Sequence, residues 1–127
     1  MKRLNKLKCG ILVLLMVTFA TSALGHSSVK SSFPEPASMI HEQPENLSLE
    51  FRDKVRLMQV KLEGKNAEKT TKLDFKPSRD AKQKFTLPFP LLPSDDYLVH
   101  WTAMGSDGHK MSGKFDFNLT LEIKDAK

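Results

Sequence analysis

Apolar and polar residues alternate one by one along several short segments of this chain, most regularly near its C-terminal end. Every second residue is apolar between residues 115 and 123, and the same alternation runs through residues 97–101, 47–51 and 85–89. Because neighbouring side chains in a strand point to opposite faces, this pattern predicts half-buried β-strands. Residues 27–39 begin as a further short strand, expected at a sheet edge, and end in a loop that contains prolines.

Turn-forming residues separate these segments. Residues 52–54, 64–66 and 94–96 read Arg-Asp-Lys, Gly-Lys-Asn and Ser-Asp-Asp, and each is predicted to turn the chain. The second turn joins predicted strands at residues 55–62 and 70–75 into a hairpin. About seven strands at this spacing, with no helical periodicity beyond the N-terminal region, predict an all-β sandwich.

The N-terminal region has the features of a secretory signal peptide. A basic start precedes an apolar run over residues 10–20, and Ala-Leu-Gly follows where a signal peptidase reads. The run is too short to span a membrane comfortably. We therefore predict a signal peptide at residues 1–25, cleavage before His26, and one domain at residues 26–127 that is exported to the periplasm and is not embedded in the membrane.

Loss of this leader changes what charge and cysteine content imply. The full chain has 20 Lys and Arg against 15 Asp and Glu, for a net charge of +5, but four of the basic residues lie in the leader. The remaining domain is nearly neutral, so we expect no nucleic-acid partner. Cys9, the single cysteine, also lies in the leader. The domain therefore depends on its apolar core, and any soft metal ligand within it must be Met or His.

The loop before the C-terminal strand contains Asp107, Gly108 and His109. Side chains two residues apart share one face of an extended segment, so this carboxylate and imidazole have the spacing of metal ligands. His26, if it becomes the N-terminal residue, adds its α-amine and Nδ1 as a chelating pair. Three nitrogens and one oxygen suit tetragonal Cu(II). The same residues also allow a solvated turn and a frayed terminus.

Several short motifs occur in order along the predicted domain. They are Ser32-Phe33-Pro34, residues 47–51 with Val55, residues 97–101, residues 106–110, Gly113 and residues 115–117. Together with a signal peptide that ends at His26, they resemble the CopC family of periplasmic copper-resistance proteins, including its YobA-like members.

The resemblance implies a Greek-key β-sandwich, Ig-like or cupredoxin-like, that binds Cu(II) through His26, Asp107 and His109. It also implies a monomeric protein that sequesters or delivers copper, with a CopD-like transporter of the inner membrane as a partner.

The chain departs from the family pattern in two places. Residues 52–54 read Arg-Asp-Lys where the family usually has Ser-Glu and a variable residue, so a role for that Glu beside the metal does not carry over. The methionines of the domain form no Met-rich loop for Cu(I). Met104 and Met111 flank the Asp-Gly-His loop, where they either bind Cu(I) or fill gaps in the core. His41 and His100 are expected in surface or packing roles, with His100 as a reserve ligand.

Two other classes of function compete with a copper carrier. A copper-dependent oxidative enzyme can also use a terminal His, but the domain is small and has one Trp and one Tyr with which to build a substrate surface. A carboxylate in the copper plane also occupies a position that an oxidant would need. A metal-free Ig-like module is the third class, and it gives His26, Asp107 and His109 no reason to converge.

Overall fold

The computed structural model describes residues 28–77 and 79–123, and each regular element within them is a β-strand. The strands are β1 (Val29–Phe33), β2 (Ser38–Ile40), β3 (Asn46–Gly64), β4 (Lys69–Lys72), β5 (Lys82–Pro88), β6 (Asp95–Gly105) and β7 (Lys110–Leu119). The predicted all-β fold is confirmed. The predicted signal peptide and His26 lie outside the described residues.

Strand β3 connects the two layers of the sandwich. It is 19 residues long, and its first part pairs with β1 and β5 whereas its second part pairs with β4 and β6. β6 pairs in turn with β7, which pairs in parallel with β2. One layer therefore holds β1, β5 and the start of β3, and the other holds β4, β6, β7, β2 and the end of β3.

The turn predicted at residues 52–54 is wrong, because the chain continues through these residues as part of β3. The pairing of β3 with β5 jumps here from Glu50 opposite Lys84 to Val55 opposite Lys82. The polar side chains are exposed, but main-chain groups are satisfied: Arg52 N donates to Ser28 O at 2.9 Å, and Gln83 Nε2 donates to Arg52 O at 3.0 Å. The segment is thus an irregular stretch of strand that passes from one layer to the other.

The turn predicted at residues 94–96 is also displaced, since β6 already begins at Asp95. This carboxylate is 5% exposed. It accepts main-chain hydrogen bonds from Asn66 at 2.9 Å, Ala67 at 3.1 Å and Asp96 at 2.7 Å. Asp95 therefore holds the β3–β4 turn against the start of β6.

Two edges of the sandwich differ from the sequence predictions as well. β7 ends at Leu119, short of residue 123, and Thr120 N donates to Ile40 O at 2.9 Å instead of extending the β6–β7 ladder. Ile40 belongs to β2, a three-residue strand that begins at Ser38, within the end of the predicted proline-containing loop. So short a strand leaves no periodicity to detect, and its pairing with β7 is fixed by residues far away in the sequence.

The core lies between the two layers and is centred on Phe51 and Trp101. Their rings meet edge to face at 5.1 Å, and Phe85 packs on Phe51 in the same way at 5.7 Å. Trp101 is 4% exposed, as predicted for a core residue. Gly113 lies opposite Trp101 on β7, and a Cβ at Gly113 would stand 2.5 Å from Trp101 Cζ2. The indole therefore occupies the space that a side chain on β7 would need.

Candidate metal site

The candidate site is the loop that joins β6 to β7. Two main-chain hydrogen bonds close it, from Gly105 N to His109 O at 2.9 Å and from Gly108 N to Gly105 O at 3.0 Å. Gly108 has a φ of 82°, a left-handed conformation that glycine adopts without the cost imposed by a Cβ. The sequence thus fixes a tight loop that carries Asp107 and His109.

Asp107 and His109 are held against each other within this loop. His109 Nδ1 lies 2.7 Å from Asp107 Oδ2, and His109 N donates to Asp107 Oδ1 at 3.0 Å. Both side chains remain exposed, by 65% for Asp107 and 85% for His109. The carboxylate and the imidazole are therefore paired yet accessible to an ion from solvent.

The pair shifts the pKa values of both groups. The hydrogen bond from the His109 side chain, with help from its backbone N–H, holds the pKa of Asp107 below its ordinary value. The same hydrogen bond and the negative charge of Asp107 raise the pKa of His109. The contact therefore favours a protonated Nδ1 beside an ionised carboxylate, and a metal ion that binds Nδ1 must displace that proton.

The first described residues lie at the same end of the sandwich as this loop. Val29 pairs with Phe51 of β3, and Ser28 O accepts a hydrogen bond from Arg52 N. Four positions further along β3, Val55 pairs with Gly105 at the end of β6. The start of β1 and the end of β6 therefore both lie beside the middle of β3, within about 13 Å of extended chain.

The structure brings Asp107 and His109 together, whereas the convergence of His26 with them stays a prediction, because His26 is not among the described residues. Across residues 28–77 and 79–123, no three His, Cys, Asp or Glu side chains are grouped so that they could hold a metal ion. A metal bound by Asp107 and His109 needs at least one further donor from outside that set.

Comparison with protein families decides what kind of domain carries this pair. The model of the CopC domain matches residues 29–120, which include β1 to β7 and the candidate loop. The chain belongs to the CopC family.

Relatives and solved structures agree with this assignment. Copper resistance protein C of Escherichia coli is 28% identical over 114 residues, which cover 83% of this chain and 90% of that protein. Copper transport protein CutJ of Bacillus subtilis (strain 168) is 27% identical over 114 residues, which cover 86% of this chain but only 21% of that relative.

Two solved structures have the same fold. CopC from Methylosinus trichosporium OB3b superposes with a TM-score of 0.64 at 19% identity, over 77% of this chain and 97% of that one. PcoC, a methionine-rich copper resistance protein from Escherichia coli, superposes with a TM-score of 0.54 at 27% identity, over 73% and 97%. Within the residues described, no helix has the length and apolar character that a membrane crossing requires.

The two methionines that flank the loop in this CopC domain do not face each other. Met111 lies opposite the buried Ala103, whereas Met104 lies opposite Lys110. Directly opposed residues share a face and successive residues alternate, so the two thioethers are on opposite faces of the β6–β7 hairpin. A Cu(I) site made by Met104 and Met111 together is not supported by this arrangement.

The other two histidines of the described chain are engaged elsewhere. His100 Nε2 lies 2.9 Å from Glu63 Oε2 on the outer face of the sheet, between Lys61 and Lys114 on the adjacent strands. His41 Nδ1 lies 3.2 Å from Thr120 O, after the end of β7. Both positions agree with the surface roles predicted for them, and His100 is not beside the candidate loop.

The sequence predicted Met104 and Met111 as equivalent neighbours of the loop, but in the structure Met111 is the one that approaches Asp107. The methyl carbon of Met111 and Asp107 Oδ1 approach the same point, 3.1 Å and 2.9 Å from where a Cβ on Gly105 would stand. Alternation along β7 places Met111 on the same face as Gly113 and Phe115, but the left-handed Gly108 interrupts it before Asp107, so the approach of Met111 to Asp107 follows from the turn.

Proposed function

We propose that this chain is a periplasmic copper-binding protein that sequesters or delivers Cu(II) through His26, Asp107 and His109. The observation that carries the proposal is the exposed Asp107–His109 pair, located at the end of the sandwich where β1 begins. Membership of the CopC family and the names of its relatives, a copper resistance protein and a copper transport protein, point to copper as the ion.

The separation of the two donors fits a copper ion. Two ligands at right angles around a metal, with bonds of about 2.0 Å, lie about 2.8 Å apart. Asp107 Oδ2 and His109 Nδ1 are 2.7 Å apart. Copper that binds both atoms must lie off the line between them, so the imidazole ring has to turn as the proton leaves; alternatively copper binds Nε2 while Asp107 orients the ring.

His26 completes the donor set if the leader is removed directly before it. The free α-amine and Nδ1 then supply two nitrogens from one residue, and His109 supplies a third. His26 is two residues before Ser28, a reach of about 7 Å of extended chain. Nitrogen and carboxylate donors without thiolate favour Cu(II) in tetragonal geometry.

A carrier is favoured over an oxidative enzyme, because Asp107 in the copper plane would occupy a position that an oxidant needs. In CutJ, the matched segment is 21% of a longer copper transport protein, which supports transfer between a domain of this kind and a transport protein. For this chain we propose a monomeric carrier and an inner-membrane copper transporter of the CopD type as its partner.

The test is a Cu(II) titration of protein expressed from the full chain and isolated from the periplasm, with its N-terminal residue determined by mass. His109→Ala and Asp107→Ala should each lower the affinity by more than the roughly 10- to 100-fold that loss of a supporting residue costs. His41→Ala, at an exposed His away from the loop, is the matched control and should bind as the wild type does.

A second variant examines the terminus. One residue added before His26 in the processed protein converts the α-amine to an amide, which is not a ligand at neutral pH, so Cu(II) affinity should fall as it does for His109→Ala. Wild-type affinity in the extended protein would exclude His26 chelation. Wild-type affinity in His109→Ala would exclude the proposed site as a whole.

A further inference from the structure

Met111 lies directly beside the proposed ligands. It belongs to β7, lies opposite Ala103 on the inward face of the sheet, and packs against the core while remaining partly exposed. Its methyl carbon and Asp107 Oδ1 both approach the point where a Cβ on Gly105 would stand. The end of the thioether and the carboxylate therefore lie beside the same space. Gly105 leaves this space open because it has no side chain.

The carboxylate of Asp107 links Met111 to His109. Its Oδ1 faces the space shared with Met111, and its Oδ2 is 2.7 Å from His109 Nδ1. The loop therefore holds a carboxylate oxygen and an imidazole nitrogen against each other, with the methyl end of the Met111 thioether beside the carboxylate.

Met104 provides an internal comparison. It is partly exposed, as Met111 is, but it lies on the outer face between Arg56 and Lys110 on the adjacent strands. Two cationic neighbours and the intervening sheet separate it from the carboxylate. The two methionines thus differ chiefly in which side of the hairpin they occupy.

We infer that Met111 is a further copper ligand of the Asp107–His109 site and that its thioether lets this site hold Cu(I) as well as Cu(II). The inference rests on the proposed function, because it requires copper at Asp107 and His109. A thioether is a soft, uncharged donor that favours Cu(I), whereas carboxylate oxygen suits harder ions. A role in packing alone would be served equally well by leucine, which nearly conserves the volume of methionine.

The experiment is an anaerobic competition for Cu(I) supplied as its bicinchoninate complex, using the processed full-chain product. Met111→Leu should lower Cu(I) affinity by about tenfold or more and leave Cu(II) affinity within about twofold, as expected for loss of a soft donor. Met104→Leu, the matched control, should change neither. X-ray absorption of the Cu(I)-loaded wild type should contain copper–sulfur scattering that Met111→Leu lacks.

The outcomes separate this inference from the proposal on which it rests. Unchanged Cu(I) affinity in Met111→Leu, or an equal loss in Met104→Leu, overturns the role of Met111 even when Cu(II) binding depends on His109. Cu(II) binding that does not depend on His109 overturns the proposed function itself. Thermal unfolding of Met111→Leu establishes that any loss of Cu(I) affinity occurs in a folded protein.

Discussion

Two carboxylates at opposite ends of β6 show how one strand supports both the fold and the candidate site. Asp95, at the start of β6, is buried and accepts hydrogen bonds from three main-chain N–H groups. Asp107 follows the end of β6, is 65% exposed, and is paired with the side chain and backbone of His109. The two residues have the same chemistry but very different partners.

Both environments lower the pKa of the carboxyl group, for different reasons. Burial by itself acts to raise the pKa of Asp95, but the main-chain donors of Asn66, Ala67 and Asp96 outweigh it. For Asp107 the hydrogen bond from the His109 side chain is the largest cause. Main-chain donors cannot leave Asp95 without opening the turn, whereas the partner of Asp107 carries a proton that a metal ion can displace.

The largest differences in stability and copper binding are expected when the carboxylates of Asp95 and Asp107 are removed in turn. Asp95→Ala leaves three partly buried main-chain donors without their acceptor, so its melting temperature should fall further than that of any other variant described. Asp107→Ala should melt close to the wild type without copper, yet lose Cu(II) binding. Thermal unfolding and Cu(II) titration of both variants measure this crossed pattern, and a stable Asp95→Ala protein would contradict it.

Lowering the pH should weaken copper binding at Asp107 and His109 while leaving Asp95 ionised, without any mutation. The pKa of His109 is raised above 6.5, so protons compete with copper as the pH falls through that raised value, and the copper-induced gain in stability should be largely lost by about pH 5. Copper at 100 times its dissociation constant adds about 2.7 kcal/mol at higher pH. Asp95, whose pKa is lowered below 3.8, stays ionised throughout this range.

The measurement is thermal unfolding with and without Cu(II) at pH 7.5 and at about pH 5, a range in which imidazole titrates. The copper-free protein should keep most of its stability at the lower pH, because the hydrogen bonds of Asp95 persist. A copper shift of equal size at both values would mean that the ion is held by groups other than imidazole and amine.

Gly113 lies in β7, between the two ends of the β6–β7 hairpin, and packs directly against the core residue Trp101. A Cβ there would approach the Trp101 ring to 2.5 Å, so Gly113→Ala should destabilise the domain by about 1–3 kcal/mol, as other overpacked cores are destabilised. Urea unfolding followed by the fluorescence of Trp101 measures the change. Gly108→Ala, where the added Cβ meets open space but φ is positive, is the control for backbone strain alone and should leave the Trp101 environment unaltered.

The sequence-based predictions succeed where local pattern decides the structure. Period-two alternation places Tyr97, Val99 and Phe117 in the core. Asp107 and His109 are paired as well, but through the turn at Gly108 and not through the extended backbone that their spacing assumed. These features depend on residues that are close together in the chain, so side-chain periodicity and the left-handed glycine of a tight loop suffice to predict them.

The predictions fail where partners come from distant parts of the chain. The polar segment at residues 52–54 has the composition of a turn, yet Ser28 and Gln83 supply the hydrogen bonds that keep it extended. Asp95 is also of a residue type common in turns, but its hydrogen-bond donors Asn66 and Ala67 lie on another hairpin. The local propensity of a segment cannot predict hydrogen bonds to residues this distant in the sequence.

The smallest expected effect isolates the Asp107–His109 pair itself. Asp107→Asn removes the negative charge and weakens the hydrogen bond that raise the pKa of His109, so this pKa should fall toward the ordinary value of about 6.5. Because the folded-state pKa of His109 is raised, the pair stabilises the fold below the unfolded value of His and loses this contribution as pH rises through the folded value. Ionisation of Asp107 sets the lower pH limit of this stabilisation, since its own contribution disappears as pH falls through its depressed pKa.

Both groups are exposed, so solvent screening keeps the stability change small, and NMR titration of the His109 ring is the sensitive measurement. Glu63→Gln, which alters the carboxylate beside His100, should leave the His109 titration unchanged, whereas an unchanged His109 pKa in Asp107→Asn would mean that the 2.7 Å contact does not persist in solution.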